Sequence, residues 1–464
     1  MKGRFYFITY SIFFKDTNFD FDSIIHRNIN DVLHFDTYLI PEDEVCPICG
    51  STHIIKNGHA YKTVKHCTVS TCLIVVRIHI QCYICKDCGY SFREKENFSS
   101  TYDGYSKESI LFILNQLKYA SMTFERIADI CHLSRQNIID IFDRYIDYTP
   151  GVLPSVLSFD EKHINKSITE DAYLFSIVDF KSNKLYDMLP NRHKRTLIAY
   201  FNRFSREELL NVQYVVMDMY EPYLDVSKLF FKNAKIAIDS FHVIQNVNRA
   251  LDKVRIRIMQ KYNNKASKTE DNTVFYYLLK KYRYYLFKEI DDITDKRFYN
   301  RKLKGWYDKY SFLKIILDID DSLKKAYYFA CDYREFNRVY NFDNAKERLD
   351  ELIEDFYDSY IHEFVDLAKT LSTWKEYIIN SFIIVPDALS KPDKYGNSYP
   401  RRLSSGAIEG LNSILQEINI VGKGYSNFIR FKNRAIYVIN KDIPIRNNPL
   451  TIRKVRQSKR FEKK

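Results

Sequence analysis

Three acidic residues occupy settings in which carboxylates do metal chemistry: Asp160 in VLSFDEKH, Asp218 in VQYVVMDMYEPY and Glu409 in SSGAIEGLNSILQEI. The first two close apolar, β-branched runs that read as buried strands, and the third opens an amphipathic helix. Carboxylates at the ends of neighbouring strands and on a helix beside them can meet at one point. Hard divalent cations take such oxygen ligands, and a pair of cations clamps the attacking and leaving oxygens of a phosphodiester during in-line displacement. The expected chemistry is metal-dependent cutting and joining of nucleic acid. Any single carboxylate is weak evidence, because the chain has 59 acidic residues and an Asp at a strand end is commonly a turn or cap. Glu161 and Glu221 compete from nearby positions. The strongest competitor is Asp239 in IAIDSFH, which stands to replace Asp218 or to assist beside His242.

A second chemistry is written in cysteine. Seven of the nine cysteines crowd between Cys46 and Cys88, and two of the segments, Cys46-Pro-Ile-Cys49-Gly50 and Cys85-Lys-Asp-Cys88-Gly89, are matching C-x-x-C-G units. Four thiolates on two such hairpins suit tetrahedral zinc, and the glycine after each pair tolerates the positive φ that turns the backbone round a metal. Cys82, Cys67 and Cys72 are lesser candidates. A large chain without a secretory signal argues against disulfides.

Nucleic-acid contact is expected from SMTFERIADICHLSRQNIIDIFDRYI. Phe124, Ile127, Ala128 and Ile130 space like one helix and Ile138, Ile139 and Phe142 like a second, with His132-Leu133 as a tight turn and Ser134 as the cap. A recognition helix would then open on Arg135, Gln136 and Asn137, side chains that pair with guanine and adenine edges in a major groove. A plain helical hairpin is the alternative. Further on, GKGYSNFIRFKNRAIY sets Lys423, Arg430, Lys432 and Arg434 among aromatic residues, which suits a phosphate backbone, or else a solvated basic face. The net charge is +12, of which +7 falls in the tail from Arg446 to Lys464. Charge alone therefore carries little weight.

The elements that must position these groups follow from breakers and periods. At 464 residues the length suits about three domains. TPGVLP is the clearest boundary; beyond it the strands VLSFD, AYLFSIVDF, LYDMLPNR, VQYVVMD and AKIAIDSF, with a helix from about Arg195 to Leu210, follow the order of an RNase-H-like sheet. The fold class is α/β: an RNase-H-like mixed-sheet catalytic domain with a large helical insertion, preceded by a zinc ribbon and a helix-turn-helix domain. The expected boundaries are an N-terminal segment 1–40 without a motif, zinc ribbon 41–98, helix-turn-helix 99–150, catalytic domain 151–245 and 401–445, helical insertion 246–400, and basic tail 446–464. Aromatic stripes in the insertion read as core rather than base-stacking platforms. Pro386, Pro392 and Pro400 read as a linker. The run Tyr6 to Phe14 is too short for a span and reads as a strand or buried segment, and no later stretch reaches the ~18 apolar residues a spanning helix needs. A cytoplasmic, nucleoid-associated protein without a membrane partner is expected.

With these residues assembled, the chain resembles bacterial insertion-sequence transposases of the ISL-three type. The likeness runs from Cys46 to about Ala435 and rests on CPICG with YICKDCGYSF, the helix-turn-helix region, SFDEKH, the VVMDMYEPY block, AIDSFHVIQNVNRALDKVR and SSGAIEGLNSILQEINIVGKGYSNFIRFKNRA. The resemblance implies a DDE triad on Asp160, Asp218 and Glu409 and structural zinc at Cys46, Cys49, Cys85 and Cys88. It also implies two Mg²⁺ (or Mn²⁺) ions, and cleavage and strand transfer on double-stranded DNA, with terminal inverted repeats and target as substrates. A homodimer on DNA is expected, because synapsis joins two ends. The alternative is a catalytically inactive, transposase-derived repressor.

Overall fold

The computed structural model describes residues 14, 17–40, 42, 44–67, 72–100, 104–164, 168, 169, 171–263, 270–288, 293–390, 396–404 and 408–451, the side chains of 270, 271, 408 and 409 excepted. Two units emerge: Met1–Thr149 with Ile164–Glu170 and Ser413–Lys464, and Pro150–His163 with Asp171–Asn412. The N-terminal expectation for Tyr6 to Phe14 lies outside the described residues except for Phe14, which is buried. Most of the basic tail, from residue 452 on, lies outside them too.

The first unit is built on a five-stranded sheet. Strands β1 (Ile25–Ile29) and β2 (Val32–Tyr38) pair as a hairpin, β3 (Ile54–His66) and β4 (Leu73–Cys85) pair as a longer one, and β5 (Ser91–Arg93) adds to β4. β2 runs parallel to β4, so residues 25–38 complete the cysteine-bearing sheet rather than standing apart as an N-terminal segment. Alternation makes the sheet one-sided: Ile74, Val76, Ile78 and Ile80 of β4 are buried with Phe35 and Val64 against Phe14, Phe19 and Phe98.

Three helices follow, Lys107–Gln116, Phe124–Cys131 and Arg135–Tyr145, capped by the side chains of Ser106, Thr123 and Ser134. Between the last two, His132 adopts a left-handed conformation (φ 51°) and Leu133 N–H returns to Ala128 O, which ends one helix before Ser134 starts the next. Their apolar faces meet at Phe124, Ile127, Cys131, Ile138 and Phe142. Tyr437, from the Phe428–Asn440 helix, is buried in the same core. Whereas the sequence boundaries assign 401–445 to the sheet domain, the structure groups Ser413 onward with this helical core.

In the second unit, β6 (Val156–His163), β7 (Tyr173–Asp179) and β8 (Lys184–Leu189) form an antiparallel meander, and β9 (Tyr214–Met217) and β10 (Lys235–Ile238) run parallel to β6. The sheet order is β10-β9-β6-β7-β8. Nearly unbroken apolar runs in β6, β7 and β9 reflect burial on both faces. The helix expected from Arg195 to Leu210 is two, Lys194–Phe201 and Arg206–Leu210, because Ser205 and Glu208 form a capping box that restarts it.

The helices from Ser240 to Asn380 share one apolar core with the sheet, and aromatic contacts such as Tyr282–Phe312, Phe329–Phe356 and Phe336–Phe382 lie inside it. Pro392 lies outside the described residues, but around Pro386 and Pro400 the stretch is more than a linker. Ile384–Leu389 (β11) and Pro400–Arg402 (β12) pair as a hairpin, Pro386 sits exposed on it where no ladder donor is needed, and Val385, Ala388 and Leu403 pack on Val156, Phe180 and Val216. The side chain of Arg402 donates to Asn337 O at 2.6 Å and stacks over Phe382. Among the described residues no helix is long and apolar enough to cross a membrane.

Candidate active site and cysteine centre

Register places three carboxylates on one rim. Ser158 of β6 faces Val216 of β9, and Met217 of β9 faces Ile238 of β10. Parallel strands advance together, so Asp160, Asp218 and Asp239 lie abreast where β9 and β10 end, while β6 runs on to His163 beside β7. All three are buried. They line a cavity of about 330 Å³ with His242, Asn412 and Tyr173, room for hydrated cations and a phosphate group.

Each carboxylate has its own partners. Asp160 accepts from the Asn412 side-chain amide (2.5 Å) and from the Glu161 backbone N–H (2.8 Å). Asp218 meets His242 Nε2 at 2.9 Å. Asp239 caps the Ser240–Lys261 helix, accepting from Phe241 N–H. Ligand atoms of Asp160, Asp218 and His242 lie within 4.8 Å of one another, close enough to share a cation. Burial and the nearby Asp218 charge push the Asp160 carboxyl up to about 6, and burial raises Asp218 although His242 counteracts it. His242 is disfavoured as a cation by burial, but the Asp218 hydrogen bond and the surrounding carboxylates raise it overall. Crowded acids that resist ionising together are what a divalent cation relieves.

Of the sequence competitors, Asp239 stays on the rim, Glu161 lines the same cavity but is engaged by other partners, and Glu221 stands off it. Glu161 turns to Arg192 and to the Tyr223 hydroxyl (3.0 Å), with Arg192 stacked over Tyr173. Glu221 is exposed in the first turn of its helix. Glu409 falls in the first turn of Ile408–Val421, and its side chain lies outside the described residues. Asn412 had only its place on the Glu409 helix face to mark it, and its amide proves to be the contact nearest Asp160.

Cys46, Cys49, Cys85 and Cys88 come together with all four sulfurs within 4.8 Å of one another. The Cys46–Cys88 and Cys49–Cys85 separations are 3.5 and 3.6 Å. A disulfide needs about 2.05 Å. A tetrahedral zinc with ~2.3 Å arms sets sulfurs roughly 3.8 Å apart, so the four are compatible with zinc. The two knuckles match atom for atom: Gly50 N–H returns to Cys46 O and Gly89 N–H to Cys85 O, at φ 71° and 74°. The Cys49 backbone amide lowers the Cys46 thiol to about 7, whereas Cys88, despite the Tyr90 amide, is raised to about 12 by burial and its neighbouring thiols. Adjacent thiols that resist ionising together are what a bound cation would relieve. Cys67 lies apart, buried against Cys131.

The residues expected at DNA divide into two groups. Arg135 and Gln136 are exposed at the start of their helix, Asn137 is half-buried, and Lys423 is exposed. Lys432 is half-buried. Arg430 is held by Asp143 through Nε and Nη2, at 3.1 and 2.7 Å. Arg434 is 1% exposed and donates to Tyr119 O and Met122 O at 2.9 and 2.8 Å, with burial lowering it to about 10. From there a guanidinium does not reach a phosphate, so the expected backbone contact fails for Arg434 because carbonyls of the helical core take its protons.

Residues 157–388, half of the chain, match the model of a transposase family, the DDE transposases of the ISL-three type. The chain belongs to this transposase family. Membership supports the RNase-H-like reading of the mixed sheet and a nuclease or transferase activity that uses divalent metal. No curated protein matches the chain.

Proposed function

We propose that the protein is an active DNA transposase that cleaves transposon ends and joins them to target DNA, with Asp160, Asp218 and Glu409 as its metal-holding triad. The observation that carries this reading is the alignment of Asp160 and Asp218 on adjacent parallel strands, with Asn412 bonded to Asp160. Glu409 precedes Asn412 by one helical turn, a spacing that sets two positions on the same helix face. When bound there, two Mg²⁺ or Mn²⁺ ions would activate the attacking hydroxyl and neutralise charge on the departing oxygen. Asn412 holds Asp160 in one orientation, and His242 does the same for Asp218. Asp239 stiffens the rim as a helix cap.

The zinc ribbon at Cys46, Cys49, Cys85 and Cys88 and the helix-turn-helix supply DNA recognition, with Arg135, Gln136 and Asn137 reading bases and Lys423 and Lys432 meeting the backbone. Arg430 and Arg434 act from within, by holding the C-terminal helix in place. The substrates are the terminal inverted repeats and target DNA, engaged by a homodimer. The test is an end-cleavage assay on DNA flanking the reading frame, with Asp160→Asn, Asp218→Asn and Glu409→Gln. Each should still bind duplex but lose cleavage by at least 10²-fold. Wild-type cleavage by any of the three removes that residue from the triad, and magnesium-independent binding without nicking in the wild type leaves the repressor reading.

A further inference from the structure

A second cavity, of about 230 Å³, lies inside the first unit, where the Gly422–Ser426 turn meets the Arg135–Tyr145 helix. Arg135, Lys423 and Arg430 line it with Ser426, and the rings of Phe124 and Tyr425 form its apolar wall. Three cations around a space of this size suit one tetrahedral anion with part of its hydration shell.

The turn is held in one shape. Gly422 N–H returns to Ile418 O and Gly424 N–H to Asn419 O, Lys423 and Gly424 have φ of 53° and 86°, and a Cβ on Gly422 would come within 2.8 Å of Ile418 O and the Tyr425 ring. Tyr425 packs on Phe124 and Phe431. Lys423 is thereby presented at the cavity from a rigid loop. The charge balance also fits. Arg430 is compensated by Asp143, and Arg135 lies 3.7 Å from Glu125, whereas among the described residues Lys423 has no carboxylate partner. One positive charge is left over, the complement of a single phosphodiester.

We infer that this cavity is a phosphate-binding site that grips one backbone phosphodiester of double-stranded DNA beside the Arg135–Tyr145 helix, so that the Gly422–Ser426 turn acts as a second jaw of the recognition unit. The inference rests on the proposal that this helix pair binds DNA. Position favours a backbone phosphate over a free anion: Arg135 shares its helix turn with the exposed Gln136, so an anion in the cavity lies beside any duplex those side chains touch.

The test uses the full chain, a generic 30-base-pair duplex and fluorescence anisotropy over a sodium chloride series. Lys423→Gln should bind roughly five- to tenfold more weakly near ~0.15 M salt and lower the slope of log K against log salt by about one, with Lys423→Arg restoring both. Gln136→Ala should leave that slope unchanged, since a base contact releases no counterion. An unchanged slope in Lys423→Gln, with tight wild-type binding, overturns the cavity while leaving the helix pair as the DNA reader. No duplex binding by wild type overturns both. Calorimetry with inorganic phosphate separates the remaining source: millimolar or weaker binding supports a duplex-borne phosphate, and micromolar binding lost in Lys423→Gln makes the site one for a free anion and overturns the inference.

Discussion

The side-chain amide of Asn412 donates to Oδ2 of Asp160, joining positions 252 residues apart in the chain. Among the described residues its other hydrogen bond comes from the backbone N–H of its neighbour, and it faces the Asp218 charge, so the amide is the main side-chain contact there that selects its orientation.

Asn412→Ala should therefore weaken metal use more than folding. Outer contacts of this kind are worth about 10- to 100-fold in metal affinity or activity. The half-saturating magnesium concentration for end cleavage should rise by that order, and Asn412→Gln should recover little because of its longer reach. A magnesium titration identical to wild type would show that the amide does not orient Asp160.

The acidic rim gives the metal-free protein a pH-dependent stability. Asp160 stands at about 6 when folded, up from 3.8, so between these values the folded chain binds more protons than the unfolded one. Stability then falls as pH rises from about 4 through 6 and stays lower above, by roughly 3 kcal/mol for a two-unit shift. Asp218 and His242, both raised, act in the same direction. Urea unfolding at pH 5 and pH 7.5 in chelator should show the loss, Asp160→Asn should reduce it, and millimolar magnesium should offset it at pH 7.5. Equal stability at the two pH values would contradict the buried placement of these acids.

Removing metal from the cysteine centre should unfold its sheet end. About one zinc per chain is expected in purified protein, with Cys85→Ser abolishing it and lowering the melting temperature. Retention of stoichiometric zinc in Cys85→Ser would move the site to other ligands.

Arg434→Met should destabilise the first unit without touching its electrostatics towards DNA. The substitution keeps an apolar stem but strands the Tyr119 and Met122 carbonyls, a loss of about 2–4 kcal/mol. Denaturant melts should register it, while the salt slope of duplex binding by the folded variant stays at the wild-type value. A reduced slope would return Arg434 to the phosphate contacts.

What could be read from sequence was local chemistry. Each C-x-x-C-G unit is complete within five residues, and Asp160 and Asp218 each follow a run whose apolarity already implies a buried strand. The cap at Ser134 and the turn at His132 are equally local. The roles set by distant partners were hidden. Arg434 looks like a phosphate ligand until the carbonyls of Tyr119 and Met122, some three hundred positions earlier, are seen to surround it. Residues 25–38 carry no motif because their role is to pair, β1 with β2 and β2 with β4, and Pro386 signals a linker only if the edge of a hairpin is not considered.

Tyr437 packs on Phe142, and Leu450 exchanges hydrogen bonds with Arg144, so the helical core is closed by residues some three hundred positions downstream of it. A chain interrupted before Phe428 would carry the Arg135 helix with an open apolar flank, so this helix is fully packed only once residues 428–450 have been made.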